Sequence, residues 1–271
     1  MTSVRPPEEP GLSSEAYLAW LNTKIMGRDP RWLEETTSTN DWIAARLAEP
    51  GVERIVAEAR RQTHGRGRMG REWISPPGVN LAFSLAWPAP TGLAQPGVIT
   101  LTAGVALAEA VEDAFGCAPT LKYPNDLYLD EKKAGGILTE LKGAGARKFA
   151  VMGFGLNLNT TESMFTGELA GSATSIFIHT GKKAERERAL AAIINKLEPA
   201  LELLAKGGLK DIMDRYRRLS APLFGRRVYT AGEYIGAAEG ITDGGELMVR
   251  AQDGRLLLVT GGEVTFRAEW K

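Results

Sequence analysis

The segment Arg61–Arg71, with Gly65, Gly67 and Gly70 alternating with Arg66, Arg68 and Arg71, constrains this chain more than any other. It has neither strand nor helix periodicity, so it reads as a loop. The run ERIVAEA before it reads as a strand. VNLAFSLAW after it alternates strictly, with Val79, Leu81, Phe83, Leu85 and Trp87 on one side and Asn80, Ala82, Ser84 and Ala86 on the other. The second set is small or mildly polar, which predicts a strand whose second face lies near a site or under a helix.

Glycine lets the backbone approach a ligand closely. Arginine presents a fixed charge and a planar fork of donors suited to phosphate or carboxylate. Together they predict an anion clamp. A solvated basic loop or an RGG-like RNA-binding segment has the same composition, and the flanking strands weigh against both. It is no P-loop, because GxxxxGK[ST] and a directly following helix are missing. Lys+Arg and Asp+Glu are equal at 33 each, which argues against nucleic acid as the main partner.

The rest of the chain fits a globular protein of 271 residues, 44% hydrophobic and 24% charged. The lone cysteine, Cys117, reads as a core residue and forms no intrachain disulfide. Two histidines, His64 and His179, argue against a His-rich metal site. Neither a signal peptide nor a transmembrane span is visible, which predicts a cytoplasmic protein without membrane partners. Residues 1–12 read as a disordered lead-in.

Helices are predicted after Ser13 or Ser14, after Ser38, over 97–115, over 184–206 with a break or kink at Pro199, and over 208–219. Strands are predicted at RWLEE, at 120–129 interrupted by Pro124, at 133–142 and at 148–157. Beyond Pro222 the texture changes to short strands with turns at Asp243-Gly244-Gly245, Asp253-Gly254 and Gly261-Gly262. This predicts a small barrel and a boundary near residue 221.

Two further segments carry chemistry. In LKYPNDLYLDEKKAGGILTEL, Pro124-Asn125-Asp126 is a turn signal. Lys133 follows, and Gly135-Gly136 inside a strand predicts close approach by a ligand. Taken singly, the turn is ordinary and Lys133 is a surface charge. In VMGFGLNLN, Gly153 and Gly155 precede Asn157 and Asn159, a pattern as common in packing as in function.

In this order the segments resemble the catalytic domain of biotin–protein ligases. The family's Ser-Thr-Asn, GRGRxGR, KWPND with Lys-x-x-Gly, and GxGxN patterns correspond to Ser38-Thr39-Asn40, Gly65–Arg71, Lys122–Asp126 with Lys133–Gly136, and Gly153–Asn157. GGEVTFR resembles the closing strand of the family's small domain. The likeness spans about residues 32–270.

The resemblance implies an α+β fold, a mixed central sheet with flanking helices of the class II synthetase kind, followed by an SH3-like barrel. The implied domains are an N-terminal extension at 1–30, a catalytic domain at 31–221 and the barrel at 222–271. It also implies an enzyme of the monofunctional type. The residues before the core are too few for the DNA-binding module that some members carry, so no nucleic-acid partner is expected.

The implied reaction joins biotin to AMP with Mg-ATP. It then transfers biotin to a lysine of a biotin carboxyl carrier domain of a biotin-dependent carboxylase. Lys133, Arg68 and Asp126 are the implied catalytic residues: Lys133 bridges carboxylate and α-phosphate oxygens, Arg68 clamps phosphate, and Asp126 serves as base, charge partner or Mg²⁺ ligand. Biotin is expected against Ser38, Thr39, Asn40, Gln62, Gly65, Arg66, Arg68, Lys133, Gly136 and Gly153. The adenylate is expected against Arg66, Arg68, Arg71, Trp73, Asn125, Lys133, Asn157 and Arg267, with no fixed metal ligand set.

Tyr123 stands where tryptophan is usual; as a large aromatic it is expected to keep the packing, with only the local shape of the pocket left open, while His64 is expected to be incidental. A lipoate or octanoate ligase or transferase on a related fold is the rival enzyme, and a biotin-binding or RNA-binding protein the rival without catalysis. Monomer and homodimer both remain open, with VNLAFSLAW or the 148–157 strand as candidate sheet edges.

Overall fold

Alternation along VNLAFSLAW becomes β3 (Leu81–Pro88), which lies inside a seven-stranded mixed sheet. The sheet also contains β1 (Asp29–Thr36), β2 (Ile55–Gln62), β4 (Thr120–Lys122), β5 (Asp126–Leu129), β6 (Lys132–Ala144) and β7 (Arg147–Leu156). Their order is β1-β2-β3-β7-β6-β5-β4. β1 and β2 run parallel, and every other pair is antiparallel. This is a computed structural model, which describes residues 11–90, 92–93, 95–221, 224–260 and 264–267.

The helices are α1 (Ser14–Trp20), α2 (Thr39–Ala44), α3 (Pro96–Phe115), α4 (Ile176–Thr180), α5 (Arg186–Ala205) and α6 (Leu209–Leu219). α3 starts with Pro96 in its first turn and stops at Gly116, whose φ of 67° is left-handed. The period-two alternation assigns each face of the sheet. Leu81, Phe83, Leu85, Met152, Phe154 and Leu156 join the large core with α3 and α5. Ala86, Phe149 and Val151 join a second core with Ile43 and Leu47 on the α2 side.

Five further strands form an antiparallel sheet: β8 (Arg227–Thr230), β9 (Glu233–Ile241), β10 (Leu247–Arg250), β11 (Leu256–Val259) and β12 (Thr265–Arg267). Val228, Ala238, Leu247, Val249 and Phe266 extend the large core rather than enclosing a separate one. The α+β class and the small terminal β unit therefore stand as read from sequence.

Three expectations change, and one helix is added. The helix over 186–205 is uninterrupted, although Pro199 lies inside it. Leu190, Ile194, Leu197, Leu201 and Leu204 are fully or almost fully buried, and this packing outweighs the local cost of a missing N–H. β3 and β7 are interior strands, so neither offers an edge; the edges are β1 and β4. Leu12, placed in the disordered lead-in, is buried, and residues 1–10 of that expectation lie outside the described residues. α4 was not foreseen; at five residues it is too short to show a period. Among the described residues no helix is long and apolar enough to cross a membrane.

One buried ion pair pins α5 to the sheet. Arg186 reaches Glu58 on β2 at 2.5 Å and donates through Nε to the Asn80 carbonyl at 3.1 Å. Burial lifts the Glu58 carboxyl well above the usual carboxylate range, to about 7, against the pull of Arg186. Removing one partner strands the other in a dry interior. Arg186→Met should therefore cost about 3–5 kcal/mol, and the double variant Glu58→Leu/Arg186→Met less than that, by urea unfolding.

Candidate active site

A cavity of about 740 Å³ opens on the α2 side of the large sheet, a volume in the range of small-molecule sites. Its floor is β7 and its neighbours. Gly153 and Gly155 lie at alternate positions of β7 and share one direction, and Asn157, one residue past the end of the strand, lines the same cavity. Gly153 pairs with Ser84 of β3 and Leu138 of β6, and Gly155 pairs with Gly136 of β6.

Three features rise from this floor in sequence along β7. Over Gly153 sits α2. A β-carbon at Gly153 would come within 2.4 Å of Asn40 Oδ1, so only glycine admits this packing. Ser84 bridges Thr39 Oγ1 and Asn40 Oδ1, each at 2.7 Å. The Thr39 N–H and Oγ1 donate to Gln62 Oε1 at 2.8 and 3.1 Å. Thr39, Asn40 and Ser38 are buried. This cluster of fixed amide and hydroxyl groups can read a polar, uncharged ligand edge.

Over Gly155 sits Trp73, whose ring would be 2.3 Å from an added β-carbon. Its Nε1–H is buried and finds no acceptor within the described residues. Beside it, Lys133 Nζ is 2.7 Å from Asp126 Oδ1 and 5.9 Å from the Trp73 ring. Arg68 donates to Asn125 Oδ1 at 3.2 Å. Burial pulls the Arg68 guanidinium below its usual range, opposed by Asp126, and it stays charged. Two cations thus converge on one stretch of cavity with one carboxylate between them.

Beyond lies Asn157, which donates to the Thr174 carbonyl at 3.1 Å. Residues 164–169, 172 and 173 close this end of the cavity. They are anchored to the lysine strand, because the Lys133 N–H donates to Ser172 O at 3.0 Å and Thr174 N–H to Lys133 O at 2.9 Å. This wall was not foreseen, since Met164–Ala173 has no period and no charged motif.

The Gly-Arg segment is a hairpin finger rather than an irregular loop. Trp73 N–H donates to Gly65 O at 2.8 Å and Gly67 N–H to Arg71 O at 2.7 Å. Met69 and Gly70, both with left-handed φ (58° and 71°), make its tip, the combination that two-residue hairpin turns require. A β-carbon at Gly65 would meet Trp73 O at 2.4 Å, so this glycine is needed for the finger's own pairing.

The structure therefore brings Ser38, Thr39, Asn40, Gln62, Arg66, Arg68, Arg71, Trp73, Asn125, Asp126, Lys133, Gly136, Gly153 and Asn157 around one cavity. Gly65 lies behind the lining. The side chain of Arg267 lies outside the described residues. The Arg66 guanidinium is turned onto Asp41, in a bidentate pair at 2.8 and 2.8 Å, and onto Glu140 at 3.1 Å. Neither carboxylate was named as a site residue from sequence, where Asp41 reads only as an acid in the first turn of a helix.

Tyr123 is packed as expected, but it does not line the cavity: it is buried, and its hydroxyl lies 3.3 and 3.2 Å from the carbonyls of Gly245 and Val259 in the small β unit. Its peptide bond to Pro124 is cis. His64 is exposed, with Nδ1 3.1 Å from the Thr63 hydroxyl. Among the described residues no group of three or more His, Cys, Asp or Glu could cage a metal.

Residues 32–157 match the Biotin/lipoate A/B protein ligase family. The chain is 33% identical over 244 residues to the biotin–[acetyl-CoA-carboxylase] ligase of Paracoccus denitrificans, covering 86% of this chain and 99% of that one. It is 32% identical over 240 residues to the bifunctional ligase/repressor BirA of Escherichia coli, covering 86% and 73%. A solved biotin protein ligase from Aquifex aeolicus in complex with biotin and ATP superposes with a TM-score of 0.76 at 28% identity, over 89% of this chain and 99% of that one.

The bare floor gives a direct expectation. Gly155→Ala must displace the indole and should cost about 1–3 kcal/mol by urea unfolding. Gly143→Ala, with nothing within 4 Å of its added carbon, should stay within about 0.5 kcal/mol of wild type.

Proposed function

We infer how the cavity divides its work from one premise: the chain belongs to the biotin–protein ligase family. It is an enzyme that activates biotin with ATP to biotinyl-5′-AMP, with Mg²⁺, and passes biotin to a carboxylase lysine. We propose that the acceptor is the biotin carboxyl carrier domain, that the protein acts in the cytoplasm, and that residues 31–221 hold the reaction while 222–271 brace it.

The observation that carries the assignment is the order of features along β7. Alternate residues of a strand stand about 7 Å apart. Gly153, Gly155 and Asn157 therefore set out three stations in a line. We assign the hydrogen-bonding cluster of Thr39, Gln62 and Asn40 to the ureido ring of biotin. A ligand lacking that ring would leave these buried groups unpaired, which is the usual basis of strong discrimination.

We assign the middle station to chemistry. The biotin carboxylate and the α-phosphate are both anionic, and Lys133 with Arg68 offers them two fixed charges. As the carboxylate attacks phosphorus and pyrophosphate leaves, negative charge spreads over the phosphate oxygens, and preorganised donors stabilise it. Asp126 holds the Lys133 ammonium until the substrate anions replace it. In the second half-reaction it stands where the acceptor amine must lose a proton.

The adenosine goes to the third station, Asn157 with the 164–173 wall, flanked by Trp73, which lies over Gly155 at the border with the middle station. The orphaned indole N–H supports a ligand here, since buried donors are rarely left without an acceptor. Mg²⁺ fits a site with few carboxylates, because it keeps phosphate oxygens and waters as ligands. Asp126 would hold it there, and the ion would neutralise charge on the phosphates.

Purified protein with biotin and ATP should release pyrophosphate and label a carrier domain; lipoate in place of biotin should give neither. Lys133→Ala should lower single-turnover adenylation on the order of 10²–10³-fold while leaving biotin binding measurable by calorimetry. An unchanged rate would remove Lys133 from the chemistry. Arg68→Gly should shorten the lifetime of bound adenylate by at least about tenfold, the equivalent of about 1.4 kcal/mol.

A further inference from the structure

We propose that Asp41 and Glu140 are positioning residues, and that they latch the Gly-Arg finger over the reaction chamber by gripping Arg66. Arg66 and Arg68 are two residues apart on the finger and point to different partners. Arg68 reaches inward to Asn125. Arg66 turns its fork onto Asp41 in the first turn of α2, at 2.8 Å through each nitrogen, with one nitrogen also 3.1 Å from Glu140 on β6. A bidentate arginine–carboxylate pair fixes direction as well as distance. The guanidinium is therefore committed to these two carboxylates, and its work is to tether the finger's root to α2 and β6.

The tether is not isolated. Glu140 Oε2 also accepts from Asn40 Nδ2 at 2.8 Å, and its Oε1 is 3.2 Å from Lys142 Nζ. Asn40 is joined through Ser84 to Thr39, and Thr39 to Gln62. One continuous set of hydrogen bonds thus runs from the finger's root to the groups assigned to biotin. Occupation of that cluster fixes Asn40, which fixes Glu140, which holds Arg66. The biotin end of the chamber and the closure of the finger share these bonds. Asp41 and Glu140 lie outside the lining of the cavity, so they act through Arg66 and not on the substrates.

The proposal rests on the adenylate-forming reading above, and its test separates the two. In the unliganded protein, trypsin should cut after Arg66, Arg68 or Arg71 at least tenfold faster in Asp41→Asn/Glu140→Gln than in wild type. This arm needs no activity. With biotin and ATP, the same variant should lose bound biotinyl-AMP at least tenfold faster, while forming it in a single turnover within threefold of the wild-type rate.

Arg66→Lys keeps the charge but cannot fork, and it should also shorten retention. It gives a second route to the answer should the double variant fold poorly by its melting curve. Wild-type cleavage and retention in both variants would overturn the latch. So would loss of formation in step with loss of retention, which would place these carboxylates in the chemistry itself. If wild type forms no adenylate at all, the functional reading fails, and the protease arm alone decides the latch.

Discussion

Missing β-carbons at two alternate positions of one strand, β7, govern this site. At Gly153 the absent carbon is where Asn40 sits, and at Gly155 it is where Trp73 sits. A side chain at either position would push α2 or the indole off the sheet and fill the cavity from below. The polar cluster, the cationic pair and the indole can occupy their stations only because the backbone beneath them is bare. Close packing of protein interiors makes that a steep constraint, since even one added methyl is felt.

From this floor the electrostatics follow. Lys133 is brought to Asp126 and Trp73 by the β5–β6 pairing, in which Asp126 faces Gly136 and Tyr128 faces Lys133. Arg68 arrives from the opposite wall on a finger whose left-handed tip turns the chain back within two residues. Neither cation is part of a long helix or a mobile tail. The two charges are thus held in advance of any ligand, which is the condition under which a site stabilises charge without reorganising.

Much of this was legible in the sequence, for identifiable reasons. Glycine inside an apolar strand, arginine between glycines and lysine after a Pro-Asn-Asp turn are residue types whose chemistry is poorly explained by packing. They marked the Gly-Arg segment, the Asn125-Asp126 turn, Lys133, Gly136 and Gly153, while Ser38, Thr39, Asn40, Gln62, Trp73 and Asn157 were placed at the site by the family resemblance. What escaped was pairing across distance. Asp41 and Glu140 look like any surface acid until the fold brings them to Arg66, 25 and 74 residues away. Ser84 was seen only as a small residue on a strand; its place between Thr39 and Asn40 depends on α2 crossing β3. The 164–173 wall has ordinary loop composition. Strand order escaped too, because alternation says which way side chains point and not which neighbours flank them.

Tyr123 carries a consequence for how the molecule breathes. It immediately precedes the Pro-Asn-Asp turn, and its hydroxyl meets the carbonyls of Gly245 and Val259. Leu247 and Val249 of the small sheet lie in the same core as Leu101 and Met213. Opening of the small sheet therefore breaks the contact that holds the residue two before Asn125, and opening of the turn exposes the small sheet's interior. The two regions share one core and this contact, so they are expected to open together in the sense of local unfolding. Amide exchange along β10 and β11 accordingly reads out the integrity of the phosphate station from a distance, without any probe placed in the cavity.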